Sequence, residues 1–368
     1  MKGLPVSSYL ETALGGNSAR APVWMMRQAG RYLPEYRAVK EKYDFWTMCR
    51  TPELAAEITL QPVRRFGMDA AILFSDIMTP LFDMGVQVDF TPAPVIADPV
   101  RTAADVRRLR VPEQDEIAPF VSAAIQLIRA DSPVPLIGFA AAPLTLATYL
   151  VQGSGSKHFM EFRSWLRTDP ALASELLGKL TEVTIRYLRA QVAAGAQAVQ
   201  LFDSWAGLHD IASYREFGAP SAAAVLGALV RPEVPRGYFA VHAAHLMDAV
   251  ADLPAEIIGV DWRTPLRVAR TTCPTRVLQG NLDPAVLLAA PDVVRRETER
   301  VLRDGLGGPH IFNLGHGVDL HTPEAGVHAV LEAVRDFDRT AEAAHGAADG
   351  AVAPTPPAAP NEREVDAL

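Results

Sequence analysis

Eight short apolar runs recur along the 368-residue chain, and each is followed by a segment with helical spacing. They are VWMM (23–26), AAILFSD (70–76), PLIGFAAAP (135–143), AVQLFDSWAG (198–207), GYFAVHA (237–243), EIIGVDW (256–262), TRVLQGNLDP (275–284) and HIFNLGHG (310–317). Strands that are continuously apolar are buried on both faces, which is the mark of a parallel sheet, and an intervening helix returns the chain to the same end of that sheet. Eight such units predict the α/β class and closure into a single (β/α)8 TIM-type barrel. No GxGxxG follows the first run, which weakens an open dinucleotide-binding sheet. Residues 83–112 break the alternation after the second strand and predict an excursion that opens with a hairpin. Helices are expected from Pro52, capped by Thr51 and ended before Gly67, over 115–130, and over 170–194 up to Gly195. Residues 1–340 thus read as one barrel domain. Residues 341–368 are rich in Ala, Pro and Gly, carry five acids against one Arg, and are expected to be a disordered tail.

A barrel gathers the C-terminal ends of its strands on one rim, where active sites lie. That rim is predicted to carry Arg27 and Arg31, Asp76, Tyr149, Asp203 with Ser204, His242, Asp261, Asn281 with Asp283, and His316. Arg27, Gln28 and Gly30 end the first run, with Arg31 next to them. Two guanidinium forks at one strand end suit carboxylates or phosphates, because they are planar, permanently charged and bidentate. Asp76 follows six uncharged residues, so it reads either as a helix cap or as a buried acid with a chemical role. His316 lies between Gly315 and Gly317, which permits close approach by a ligand or a simple turn. Ser204 has no activating base beside it and reads as a hydrogen-bonding group. No cysteine nucleophile, no cluster with metal spacing and no strand-end lysine joins the set.

The chain has a net charge of −8, yet residues 1–50 hold eight Lys/Arg against four Asp/Glu. The overall field disfavours nucleic acid and anionic membranes, while the local excess marks where an anionic ligand would dock. Two distant cysteines and no signal-like or membrane-spanning run predict a cytoplasmic protein.

PVWMMRQAGRYLPEYR (22–37) resembles the N-terminal signature of the uroporphyrinogen decarboxylase family, and GFAAAPLTLATYLVQG (138–153) its second signature. ILFSDI, QLFDSWAG, QGNLDP and NLGHGV match in order and spacing, so the likeness spans roughly residues 5–340. The resemblance implies removal of CO2 from the four acetate side chains of uroporphyrinogen III to give coproporphyrinogen III. It also implies a homodimer that works without metal or organic cofactor. By motif match, Asp76 would accept the pyrrole N–H groups and stabilise charge on the ring. Arg27 and Arg31 would hold carboxylates, with the proton donor left open. Tyr149, Ser204 and His316 would add hydrogen bonds, and Phe139 and Phe202 would wall the macrocycle.

Three departures stand out: Leu144 replaces a usual aromatic, Lys40 stands where some members have Arg, and AVHAAHL replaces a Gly-rich strand end, leaving His242 and His245 without a physical account. A corrinoid methyltransferase of the same barrel family would need zinc thiolates, but His242 is followed by Ala243 and Ala244, and Cys273 is off a strand end. A tetrapyrrole carrier that keeps the barrel without catalysis would have no use for Asp76.

Overall fold

The computed structural model describes residues 8–90, 94–229 and 231–338. Its strands are β1 (Ala71–Ile72), β2 (Val88–Phe90), β3 (Pro94–Ile96), β4 (Leu136–Ala141), β5 (Ala198–Asp203), β6 (Arg236–Ala240), β7 (Ile257–Gly259), β8 (Val277–Leu282) and β9 (His310–Leu314). Seven form one parallel sheet in the order β1-β4-β5-β6-β7-β8-β9, and β2 pairs with β3 as a separate antiparallel hairpin. That hairpin falls within the excursion expected over 83–112. The tail expected over 341–368 lies outside the described residues.

The first apolar run departs from the expectation of a full strand. Val23 forms a single parallel bridge to Phe312, supported by Phe312 N–H to the Pro22 carbonyl at 2.9 Å and Trp24 N–H to the Phe312 carbonyl at 3.4 Å. On its other side the Val23 carbonyl accepts Asp69 N–H at 2.9 Å. The ladder is short because Pro22 has no N–H to donate and the chain turns at Met26. Asp69 leads into β1 and Phe312 lies in β9, so both edges of the sheet meet the same three residues, and the sheet is curled.

β1 is also shorter than its apolar run. Leu73 N–H still reaches the Ile137 carbonyl at 3.0 Å, after which the two chains part. Two side chains then take the place of the missing ladder. Phe74 N–H donates to Thr59 Oγ1 at 2.9 Å, and the Gln191 amide both accepts Phe139 N–H at 2.9 Å and donates to the Phe139 carbonyl at 2.8 Å. Gly138 makes this possible, since a Cβ there would lie 2.5 Å from Gln191 Oε1. Buried backbone groups need partners, and here a helix supplies them, freeing residues 74–76 to leave the sheet.

Gln191 belongs to the helix Pro170–Ala194, which starts as its sequence implies. Asp169 accepts Leu172 N–H at 3.1 Å, Pro170 stands at the first position, and Gly195 at φ 121° ends it. Helix Pro52–Phe66 likewise begins at Pro52 and ends at Gly67 with φ 69°, but Thr51 does not cap it through its side chain. Across the sheet interior, Trp24 Nε1–H donates to Gln279 Oε1 and Gln279 Nε2–H to Gln200 Oε1, both at 3.0 Å. This buried polar chain ties the first run to β8 and β5. Among the described residues no helix is long and apolar enough to cross a membrane.

Candidate active site

Arg27 is presented by a turn that several elements hold. The Met26 N–H donates to Asn313 Oδ1 at 3.0 Å, and the Met26 carbonyl accepts Val318 N–H at 2.9 Å. Arg27 itself has φ 59°, a left-handed conformation that a non-glycine residue adopts only when its surroundings enforce it. Its stem lies against Gly317, where a Cβ would fall 2.4 Å from Arg27 Cδ. Gln28, adjacent in the basic motif, turns inward instead. It is fully buried, accepting Met25 N–H and donating to the Ala70 carbonyl, so it stitches the turn to the approach of β1. Arg27 and Arg31 are exposed, and among the described residues neither guanidinium has an ion-pair or hydrogen-bond partner. Arg31 lies near Tyr36.

Asp76 follows the point where β1 peels away. Its carboxylate accepts Met78 N–H at 2.8 Å, an Asx turn that orients it. Burial pushes the carboxyl up to about 6, while the Met78 amide and the nearby Arg27 charge oppose the rise. Above that pH the site holds a poorly solvated carboxylate facing an unpaired guanidinium. Tyr149, on the helix Pro143–Gln152, is buried, which raises its phenol, and it lies within the fields of Asp76 and Arg27. Burial, followed by the Arg27 charge, pulls His316 down to about 4, so its ring is neutral at pH 7. Phe139 and Phe202 meet edge to face at 5.7 Å, and Phe202 meets Phe239 at 6.2 Å, forming an apolar wall. The Ser204 hydroxyl has no partner among the described residues. It adjoins Trp205, whose ring contacts Tyr149 at 5.9 Å. The result is a poorly solvated acid beside an open cation, with aromatic walls, suited to a flat, anionic ligand that carries N–H donors.

Residues 5–337 match the family model for uroporphyrinogen decarboxylase (URO-D). The chain belongs to the uroporphyrinogen decarboxylase family. It is 46% identical over 330 residues to the uroporphyrinogen decarboxylase of Syntrophotalea carbinolica, covering 89% of this chain and 96% of that one. Against the uroporphyrinogen decarboxylase of Carboxydothermus hydrogenoformans it is 44% identical over 336 residues, covering 90% and 96%. Among solved structures, a methyltransferase from Methanosarcina mazei superposes with a TM-score of 0.77 at 23% identity, covering 89% of this chain and 97% of that one, a likeness of fold.

Within this family fold, several acids expected on the rim have other duties. Asp203 is fully buried, accepting Thr145 Oγ1–H at 2.7 Å and Tyr238 O–H at 2.8 Å, with Tyr214 and Tyr238 hydroxyls 2.7 Å apart. It faces the helical layer rather than the site. Asp261 turns back to accept His242 N–H at 2.6 Å and Arg263 N–H at 3.0 Å. Asn281 donates to the Asp261 and Thr264 carbonyls, and Asp283 caps a short helical turn at Ala285. His245 Nε2 bonds the carbonyl of the buried His209 at 2.8 Å, a structural contact. Cys273 follows the helix Leu266–Thr272, and among the described residues no three His, Cys, Asp or Glu side chains gather as a metal site. Sequence reasoning missed Trp262 and Arg263. Trp262 lies between His242 and His316, with ring centroids 6.2 and 6.3 Å away, and the Arg263 guanidinium stacks on it at 3.9 Å. The available signal was their position at the end of the apolar run EIIGVDW, where Trp262 closes the run and Arg263 follows it.

Proposed function

We propose that this chain catalyses the decarboxylation of uroporphyrinogen III, converting its four acetate side chains to methyl groups and yielding coproporphyrinogen III for porphyrin and heme synthesis. The observation that carries the reading is Asp76, a half-buried carboxylate raised to about 6 and set beside the unpartnered Arg27 in a site of a decarboxylase family. Breaking the bond between the methylene carbon and the carboxylate releases CO2 and leaves an electron pair. A pyrrole protonated on carbon takes that pair, the methylene carbon then takes a proton to become methyl, and the ring carbon gives up the proton it first took, so that one proton is consumed for each CO2 released. Ionised Asp76 accepts the pyrrole N–H groups and offsets the positive charge that grows on the ring, in a poorly hydrated site where such a charge acts strongly. Arg27 and Arg31 hold substrate carboxylates. Tyr149, Ser204 and neutral His316 supply further hydrogen bonds, and Phe139 and Phe202 line the macrocycle's faces. The ring is its own electron sink, so the chemistry calls for no metal or organic cofactor.

Segment 22–24 serves in this reading as the eighth stave that closes the barrel, and the family resemblance implies a cytoplasmic homodimer. Anaerobic incubation of the metal-free protein with uroporphyrinogen III, then oxidation and chromatography by carboxylate number, tests the activity. Stepwise loss from eight carboxylates to four is expected. Intact substrate that co-elutes with the folded protein would overturn the reading in favour of a carrier.

A further inference from the structure

Further round the mouth from Arg27, past His316, lies a group that the reaction chemistry leaves unused. Of the four non-glycine residues with positive φ among the described residues, two stand at this mouth: Arg27 at 59° and His242 at 58°. His242 follows β6 and is exposed. Its backbone is held on one side by Asp261, which takes its N–H, and is approached on the other by Gly207, where a Cβ would fall 2.6 Å from the His242 carbonyl oxygen. A strained conformation enforced from two sides presents the imidazole outward.

Arg263 is displayed beside it. Its guanidinium stacks on Trp262 and keeps only a long contact of 3.6 Å to Asp261, with its side chain 47% exposed. Stacking on an indole leaves the edge of the guanidinium, with its N–H donors, open to an acceptor. Trp262 contacts both the His242 and the His316 rings, and Gly317 beside His316 lies against the Arg27 stem, so the rim from β6 to Arg27 is one continuous arc that also includes the Asp261 carboxylate. Gly315 closes that arc by letting the His316 turn reach Trp262, since a Cβ there would lie 2.3 Å from the Trp262 nitrogen. Arg27 acts on both Asp76 and Tyr149, while Arg263 stacks on Trp262 in the loop after β7.

We propose that Arg263 and His242, braced by Trp262 and Asp261, form a subsite for a spectator carboxylate of the substrate, one that is gripped away from the reacting acetate. The proposal rests on the tetrapyrrole reading above and adds to it a binding residue that Arg27 and Arg31 do not account for. A carboxylate held there is bound equally in the ground state and the transition state, so the subsite acts on KM and leaves kcat alone.

The test compares wild type, Arg263→Gln, Arg263→Lys and His242→Gln in anaerobic turnover of uroporphyrinogen III and in equilibrium binding of uroporphyrin III, which needs no turnover. Arg263→Gln is expected to raise KM and the uroporphyrin Kd about tenfold with kcat within about twofold, the worth of one charge-assisted hydrogen bond. His242→Gln shows a smaller rise, and Arg263→Lys recovers part of the loss. Unchanged KM and Kd in Arg263→Gln overturns the subsite, as does a fall in kcat and Tm with KM intact, which marks a structural role. Wild type that binds uroporphyrin but does not decarboxylate uroporphyrinogen overturns the catalytic reading alone, and the binding comparison still decides the subsite.

Discussion

Arg27 holds its place at the mouth through Gly317 as much as through its own turn. Replacing Gly317 with Ala puts a methyl 2.4 Å from Arg27 Cδ and 2.7 Å from Cγ, which forces the stem aside while the hydrogen bonds of Met26 remain. Gly317→Ala should therefore keep the fold, with Tm within a few degrees, and lower kcat/KM by about tenfold to a hundredfold, the loss typical when a positioned charged contact is displaced. Asp76→Asn separates function from stability. Turnover is expected to fall at least about a hundredfold, because the preorganised charge is removed. Stability should rise. The folded carboxyl is pushed up to about 6, above the ordinary 3.8 of an unfolded aspartate, so the folded state binds the extra proton and wild type loses stability as pH rises from about 4 to 6. Above that window Asn should be the more stable residue by up to about 3 kcal/mol, and the gain should vanish below about pH 4. Urea unfolding of both proteins at pH 4 and pH 8 checks this, and a variant that is less stable at pH 8 would contradict it. Which acids matter was partly legible in the sequence. Along AVQLFDS, Gln200 joins the interior amide chain and Phe202 the aromatic wall, while Asp203 shares the parity of Val199 and Leu201. Strand alternation thus sends Asp203 to the helices and Ser204 toward the site, a distinction that a strand-end acid read by itself does not reveal.

At the scale of elements, the site exists because β1 stops early. An apolar run of seven residues reads as a strand of similar length, and nothing in AAILFSD marks where it leaves the sheet. The cause lies far along the chain, in Gln191 and Thr59, whose side chains satisfy the edges that β1 would have paired. A helical glutamine between apolar neighbours carries no local sign of that role. Gln191→Leu would leave the Phe139 N–H and carbonyl buried without partners, at about 1–3 kcal/mol for each group. The expected loss of stability is about 2–5 kcal/mol by denaturant unfolding, with surviving folded protein showing a raised KM as the Phe139 wall loosens. A loss below about 0.5 kcal/mol would mean that water or a longer β1 can serve instead. The capping of Pro170–Ala194 was legible by contrast, because Asp169, Pro170 and Gly195 act through nearest neighbours.

For the molecule as a whole, alternating apolar runs and helices announced a parallel α/β sheet, and seven of the eight expected strands are in it. The remaining one, the first run, is a seam. Segment 22–24 meets β9 by one bridge and the approach of β1 by one carbonyl, so it is held with fewer ladder bonds than any pair from β4 to β9. Side chains make up the difference. Asp69 accepts Val23 N–H at 2.8 Å and pairs with Arg20 through two contacts of 2.9 and 2.7 Å, while Trp24 is anchored to Gln279. Ladder and anchors act in series with the Arg27 turn, since the same five residues run from Pro22 to the basic motif. Asp69→Ala should remove the bidentate pair and leave the buried Val23 N–H unpartnered, lowering stability by about 2–3 kcal/mol. Its effect should be local before it is global. Hydrogen exchange of the amides of Val23 and Trp24 should speed up by a larger factor than that of amides in β5 or β6, because the seam opens without unfolding the remaining sheet. Activity should fall along with the seam, through Arg27, although Asp69 lies away from the mouth. Uniform acceleration of exchange across all strands would instead show that the seam and the sheet unfold as one cooperative unit, and that closure at 22–24 is as strong as the ladders it joins.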